Sequence, residues 1–183
     1  MIAVIDTETN WYDQVMSIGV VAADSQFCPA AEKYYILNPE AMAGGMYADR
    51  LDLPDPAAVQ VLTRQAAMED LVSWLQNQGI REIFAYNARF DRGHLPELGQ
   101  FSWYDIMKIA AYRQYNDRLP QWADFCSTGR LKRSYGVEPI LQCLSGDPCY
   151  RETHNALLDA RDELQIMKLL GKPVFLYEQC AEV

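Results

Sequence analysis

The sequence predicts an α/β domain with a five-stranded sheet flanked by helices, on three observations. The opening run Met1-Ile2-Ala3-Val4-Ile5 is apolar and strand-like, and segments at about 15 to 23 and 33 to 37 repeat that character. Short polar joins such as Asp24-Ser25 separate them; connections this short cannot make a parallel crossover, so these three strands are expected to pair antiparallel. Further strands are expected at 82 to 87 and near Trp103 to Met107. Helical periodicity supplies the third observation. From about Ala57 to Gln78, Ala58, Val61, Met68, Val72 and Leu75 recur at helical spacing before Gly79. From about 156 to 170, Leu157, Ala160, Leu164 and Met167 share one face, and Gly171 and Pro173 end the run. Between these elements, residues 39 to 56 hold Pro39, Gly44, Gly45, Pro54 and Pro56 and read as a loop. The stretch after Met107 is expected to be helical through the middle of the chain.

A chain of 183 residues, 50% of them hydrophobic, can bury one substantial core, and a single domain over 1–183 is expected. The net charge of -9 argues against a general affinity for polyanions, although bound divalent ions would offset local negative charge. Cys28, Cys126, Cys143, Cys149 and Cys180 have neither the even count of a disulfide framework nor the close pairing of a zinc site. They read as reduced thiols of a cytoplasmic protein. No apolar run approaches the roughly 20 residues that span a bilayer, and no basic segment followed by an apolar stretch opens the chain. No membrane association is expected, and the first strand is expected to open the mature protein.

Function is carried by four carboxylates and a histidine in three separated clusters. Asp6 and Glu8 end the first strand, and side chains two apart on a strand point to one face. Asp91 follows the apolar segment Ile83-Phe84-Ala85 within Tyr86-Asn87-Ala88-Arg89-Phe90-Asp91. His154 and Asp159 stand at the start of the last long helix. Acids converging from distant parts of a chain resist ionisation together unless a cation neutralises them, so a divalent-metal site is expected. Five residues on a regular helix rotate about 500°, leaving side chains about 140° apart. His154 is therefore expected to precede the helix, with Asn155 at its cap.

Asp6-Thr7-Glu8-Thr9, Asn87-Ala88-Arg89-Phe90-Asp91 and His154-Asn155-Ala156-Leu157-Leu158-Asp159-Ala160 resemble, in order, the three motifs of the DnaQ-like (DEDDh) 3′-to-5′ exonucleases. The resemblance spans nearly the whole chain. It departs where the family often continues its first motif with Thr-Gly and this chain has Asn10-Trp11-Tyr12, which bears on substrate contacts rather than on the acids. It implies a ribonuclease H-like mixed sheet and two magnesium or manganese ions. Asp6 would bridge them, Glu8 and Asp159 would complete one site, Asp91 would hold the other, and His154 would be the general base. The implied substrates are single-stranded 3′ ends, DNA slightly preferred over RNA, cut to nucleoside 5′-monophosphates. The family also includes RNA-processing exoribonucleases and oligoribonucleases, and proofreading or repair enzymes with a polymerase or repair partner. A catalytically idle nucleic-acid-binding module on the same fold is the alternative from another class; it would be expected to lose one of the five residues, and this chain keeps all of them.

Around this set, Trp11 and Tyr12 are placed to stack on terminal bases or simply to pack. Thr7, Thr9, Asn87 and Phe90 belong to the motifs and are candidate substrate contacts. Arg130, Lys132 and Arg133 form the densest basic group, able to guide a phosphate backbone or merely to face solvent. His94, one helical turn beyond Asp91, reads as packing more readily than as a ligand. Asp105, near a strand end, reads as a structural carboxylate.

Overall fold

The computed structural model describes residues 1–52 and 59–183. Six strands form one mixed sheet in the order β4-β3-β2-β1-β5-β6. They are β1 Ile2–Thr9, β2 Val15–Ala23, β3 Pro29–Leu37, β4 Val59–Leu62, β5 Glu82–Ala85 and β6 Ser102–Asp105. β1 pairs antiparallel with β2 and β2 with β3, as the short connections require. β3–β4, β1–β5 and β5–β6 are parallel pairs. The helices are α1 Arg64–Asn77, α2 Arg89–His94, α3 Met107–Ala110, α4 Val137–Ser145, α5 Ala156–Leu170 and α6 Val174–Cys180.

The sixth strand corrects the expected five. β4 takes residues assigned from periodicity to the beginning of a helix; Ala57 and Ala58 lie outside the described residues. Val59, Val61 and Leu62 suit a strand edge, and Val61 is exposed rather than part of a buried helical stripe. The helix starts instead at Thr63, whose hydroxyl accepts from the Ala66 N–H at 3.3 Å. Met68, Leu71 and Leu75 then face the sheet. The span 39–52, expected as a loop, contains two 3-10 turns, Glu40–Ala43 and Ala48–Arg50.

The middle of the chain is also less helical than expected. After α3 it runs through turns joined by isolated bridges, Tyr112↔Arg130 and Phe125↔Leu131, until α4. Buried Asn116 stops α3 by donating its side-chain amide to the Ala110 carbonyl at 2.6 Å, and Pro120 and Gly129 interrupt any further period. After Gly171 an additional helix, α6, buries Tyr177 edge-on against Phe84 and Phe27.

The sheet carries a core on each face. Ile2 and Val4 of β1 join Val21, Phe84 and the buried stripes of α4, α5 and α6, whereas Ala3 and Ile5 join Val20, Tyr35, Leu37 and α1. The alternation that sends Ile2 and Val4 toward α5 sends Asp6 and Glu8 the same way. All nine residues of β2 are buried, as its covered position requires.

Gly19 sets how closely α5 can approach. It stands opposite Asp6 in the β1–β2 register, and a Cβ there would overlap the backbone of Ala156 and Leu157. Gly19→Ala is therefore expected to lower unfolding free energy by about 3 kcal/mol in urea titrations. Gly93→Ala in α2, where a Cβ meets nothing within 4 Å, is expected to raise it by about 0.5–1 kcal/mol. Equal effects would mean that α5 can withdraw from β2 without loss.

Candidate active site

Three element ends meet on the α5 side of the sheet. Asp6 and Glu8 occupy the last turns of the β1 pleat, where a register shift between Glu8 and Thr9 ends regular pairing. Asp91 comes from the first turn of α2. β5 has stopped at Ala85, so Thr7 lacks a continuing strand neighbour there. It donates instead to Asp91 Oδ1, from its N–H at 3.1 Å and its hydroxyl at 2.7 Å. Those two bonds fix Asp91, which is only 2% exposed, against the end of β1.

Asp159 lies in the first turn of α5, one helical turn after the cap. Asn155 caps that helix, its Oδ1 accepting from the Leu157 and Leu158 N–H groups at 3.2 and 3.3 Å. Its amide nitrogen donates to the Arg50 carbonyl at 2.6 Å and to Tyr34 Oη at 3.1 Å. His154 precedes the helix in the left-handed region, φ 58°, as the rotation between it and Asp159 demands. Ligand atoms of Glu8, His154 and Asp159 all lie within 4.8 Å of one another.

The acids resist ionisation in this arrangement. Burial, then Asp91, Glu163, Asp159 and Glu8, push Asp6 well above the usual carboxylate range. Burial, then Glu152 and Asp91, raise Glu8 to about 7. Burial raises Asp91 to about 7 against the opposing bonds from Thr7. Burial, then Glu152 and Glu8, bring Asp159 to about 8. Asp6 Oδ2 and Asp159 Oδ1 are buried with no hydrogen-bond partner among the described residues. Orphaned oxygens on crowded acids, with no thiolate among them, are a donor set that fits a hard divalent cation. Burial holds His154 below the ordinary imidazole value.

Sequence reasoning passed over two acids beside this set. Glu163, 2% exposed on α5, accepts from the Tyr86 N–H at 3.0 Å through Oε2 and is held well above its ordinary value by burial and Asp91. Its signal was present: it stands four residues after Asp159 on a helix and therefore shares its face. Glu152, raised to about 7 by burial and Asp162, adds to the field on Glu8 and Asp159.

The remaining candidates differ in exposure and contacts. Trp11 and Tyr12 are 65% and 74% exposed, and Phe90 is exposed beside His94. Thr9 ends β1, while Asn87 sits at φ 62° with its N–H on Asp105 Oδ1 at 3.0 Å. Asp105 also accepts from the Met107 N–H at 2.9 Å and is buried, so it braces the turns after β5 and β6. His94 pairs with the Phe90 carbonyl at 2.9 Å and with Asp13 at 3.1 Å, pinning the turn after β1 to α2. Lys132 and Arg133 are exposed. The Arg130 guanidinium covers the Tyr135 ring at 4.4 Å, and the Tyr135 carbonyl accepts from the Tyr86 hydroxyl. The basic group is thereby joined to the segment leaving β5 toward Asp91.

All five cysteines are free thiols. Among the described residues no helix is long and apolar enough to cross a membrane. No protein-family model and no curated protein matches this chain.

The raised acids make stability depend on pH in a definite direction. A carboxyl whose folded value exceeds its unfolded value of about 4 contributes stability that is full below pH 4 and lost as pH rises through 7 to 8. A divalent ion replaces those protons, so its stabilisation should grow over the same window. The increase in Tm given by manganese over EDTA is expected to be several degrees larger at pH 8 than at pH 5.5. An equal increase at both values would mean that these acids are not the ligands.

Proposed function

We propose that this chain is a two-metal-dependent 3′-to-5′ exonuclease with a ribonuclease H-like fold, of the DnaQ-like type, acting on single-stranded nucleic acid ends. The observation that carries the reading is the convergence of Asp6, Glu8, Asp91 and Asp159 around buried carboxylate oxygens that have no partner among the described residues, with the His154 imidazole beside Glu8 and Asp159. The strand order supports it, because the antiparallel β1–β2–β3 group continued by parallel β5 and β6 agrees with the sheet the motif resemblance implies.

On this reading Asp6, Glu8, Asp91 and Asp159 would hold the two divalent cations. Ions there would polarise the attacking water and neutralise the phosphoryl and leaving 3′ oxygens. Thr7 keeps Asp91 in register with Asp6 through its two bonds. His154 takes the proton from the water; its ring nitrogen is within 4.8 Å of Glu8 and Asp159 oxygens, a separation a single water can bridge. Trp11 and Tyr12 offer faces to the terminal bases, and Arg130, Lys132 and Arg133 offer charge to the phosphates behind them. Release of the leaving oxygen yields a nucleoside 5′-monophosphate and a strand one unit shorter.

The direct test is hydrolysis of end-labelled single-stranded DNA and RNA of several lengths, resolved at single-nucleotide steps, with magnesium or manganese and with EDTA. One-step shortening from the 3′ end that chelator abolishes is expected, and undiminished hydrolysis in excess EDTA would sink the mechanism. Asp91→Asn preserves shape and can still accept from Thr7, so it should lower the rate by about three orders of magnitude while leaving the chelated protein as stable or more so. His154→Ala should bind manganese nearly as wild type, by calorimetry, while slowing single-turnover cleavage roughly 100- to 10,000-fold and flattening the acidic limb of its pH profile. Wild-type rates in the histidine variant would remove His154 from the role of base.

A further inference from the structure

His154 sits in a conformation that needs outside support. Its backbone is left-handed, at φ 58°, a region that residues other than glycine occupy uncommonly and at a cost that their surroundings must offset. Among the described residues neither ring nitrogen is hydrogen-bonded. What the imidazole does touch is Tyr47: the two rings lie flat on each other, centroids 3.9 Å apart and planes 14° from parallel.

Tyr47 is placed for this by a closed circuit of contacts. Its carbonyl accepts from the Arg50 N–H at 2.9 Å across the 3-10 turn Ala48–Arg50. The Arg50 carbonyl accepts from the Asn155 amide at 2.6 Å, and Asn155 is the residue after His154. The ring stack closes the circuit. The same segment is anchored upstream beside Glu8: the Gly44 carbonyl accepts from the Trp11 N–H at 3.1 Å, and the Glu40 carbonyl accepts from Asn10 Nδ2 at 3.0 Å. Gly45 packs so tightly there that a Cβ would lie 2.9 Å from the Thr9 carbonyl oxygen. Residues 40–51 thus connect the end of β1 to the turn before α5, and Tyr47 is the side chain they lay against the imidazole.

We propose that Tyr47 is the positioning residue for His154, the wall that keeps the imidazole turned toward Glu8 and Asp159. The assignment rests on the exonuclease reading with His154 as base. The working feature is the ring face and not the hydroxyl, since the stack is parallel. Loss of the wall leaves the base present but misaimed, which slows the chemical step without changing how substrate is held.

Three variants and their combination test this. Tyr47→Ala should reduce kcat roughly 10- to 100-fold with KM within about threefold of wild type, whereas Tyr47→Phe, which keeps the ring, should stay within about twofold. In a His154→Ala background, Tyr47→Ala should cost nothing more, because a residue acting through the imidazole has no effect once the imidazole is gone. A multiplicative loss in the double variant, or a rise in KM without a fall in kcat, would overturn the proposal in favour of a direct substrate contact or a purely structural role. The stack also has a readout independent of catalysis. The chain has two histidines, so the His154 ring protons are identified in an NMR spectrum by their absence from His154→Ala. They should be shifted upfield by the Tyr47 ring in wild type and Tyr47→Phe, and should move back in Tyr47→Ala. A chain that cleaves no nucleic acid would defeat the exonuclease reading while these resonances still decide whether Tyr47 holds the imidazole. Resonances that stay unmoved in Tyr47→Ala would overturn the positioning role.

Discussion

Helix α5 rests on β2 with no side chain between them at Gly19, and the geometry of the site depends on that contact. Asp6 is the register partner of Gly19, so the helix arrives on the patch of sheet from which the first acid projects. Asp159, in the first turn of the same helix, is thereby carried toward Asp6 and Glu8. A larger residue at position 19 would hold the helix away and leave the acids to solvent, where they would ionise separately. Instead they are confined together, and their mutual repulsion adds to the burial that lifts each of them.

The three arms of the site are held with unequal firmness. Asp91 is clamped by two bonds from Thr7 and cannot turn without releasing a buried N–H. Asp6 belongs to a strand paired on both sides. His154 stands outside the helix at a positive φ, with the Tyr47 ring stacked on its imidazole. On the proposed reading, such a division suits groups with different tasks: acids that would hold the metals without moving relative to one another, and a base whose ring would stay free to adjust as it takes a proton.

The elements legible in the sequence are those whose signals are local. β1 and β2 are bounded by polar turns, and α5 is bounded by Asn155 as cap and Gly171 at its left-handed end, both found where the residue types place them. The segments that were misjudged take their structure from distant contacts. β4 exists because β3 offers it an edge, and its short run Val59–Leu62 also fits the beginning of a helical stripe. The chain between α3 and α4 is shaped by single long-range bonds such as Asn116 to Ala110, which no periodicity announces. At the site, Asp6, Glu8, Asp91, His154 and Asp159 were visible because each stands at the end of an element. Tyr47 was not, because its segment carries no pattern that points to His154. Glu163 is easily overlooked, because a glutamate on a helix is ordinarily read as solvated; its spacing of four from Asp159 and the apolar stripe on either side mark its face as buried.

The complete burial of β2, between β1 and β3, also has a consequence for how the molecule opens. Its amides are covered on both faces and bonded on both edges, so they exchange with solvent deuterium only when the whole domain unfolds. Asp6 and Glu8 are borne by the neighbouring strand of that same protected ladder. The turn carrying His154 and the segment carrying Tyr47 have no ladder of their own and open by smaller fluctuations. In an exchange experiment the carboxylate half of the site would therefore belong to the slowest cooperative unit of the protein, and the imidazole half to a faster one, with the boundary between them running through the cap of α5.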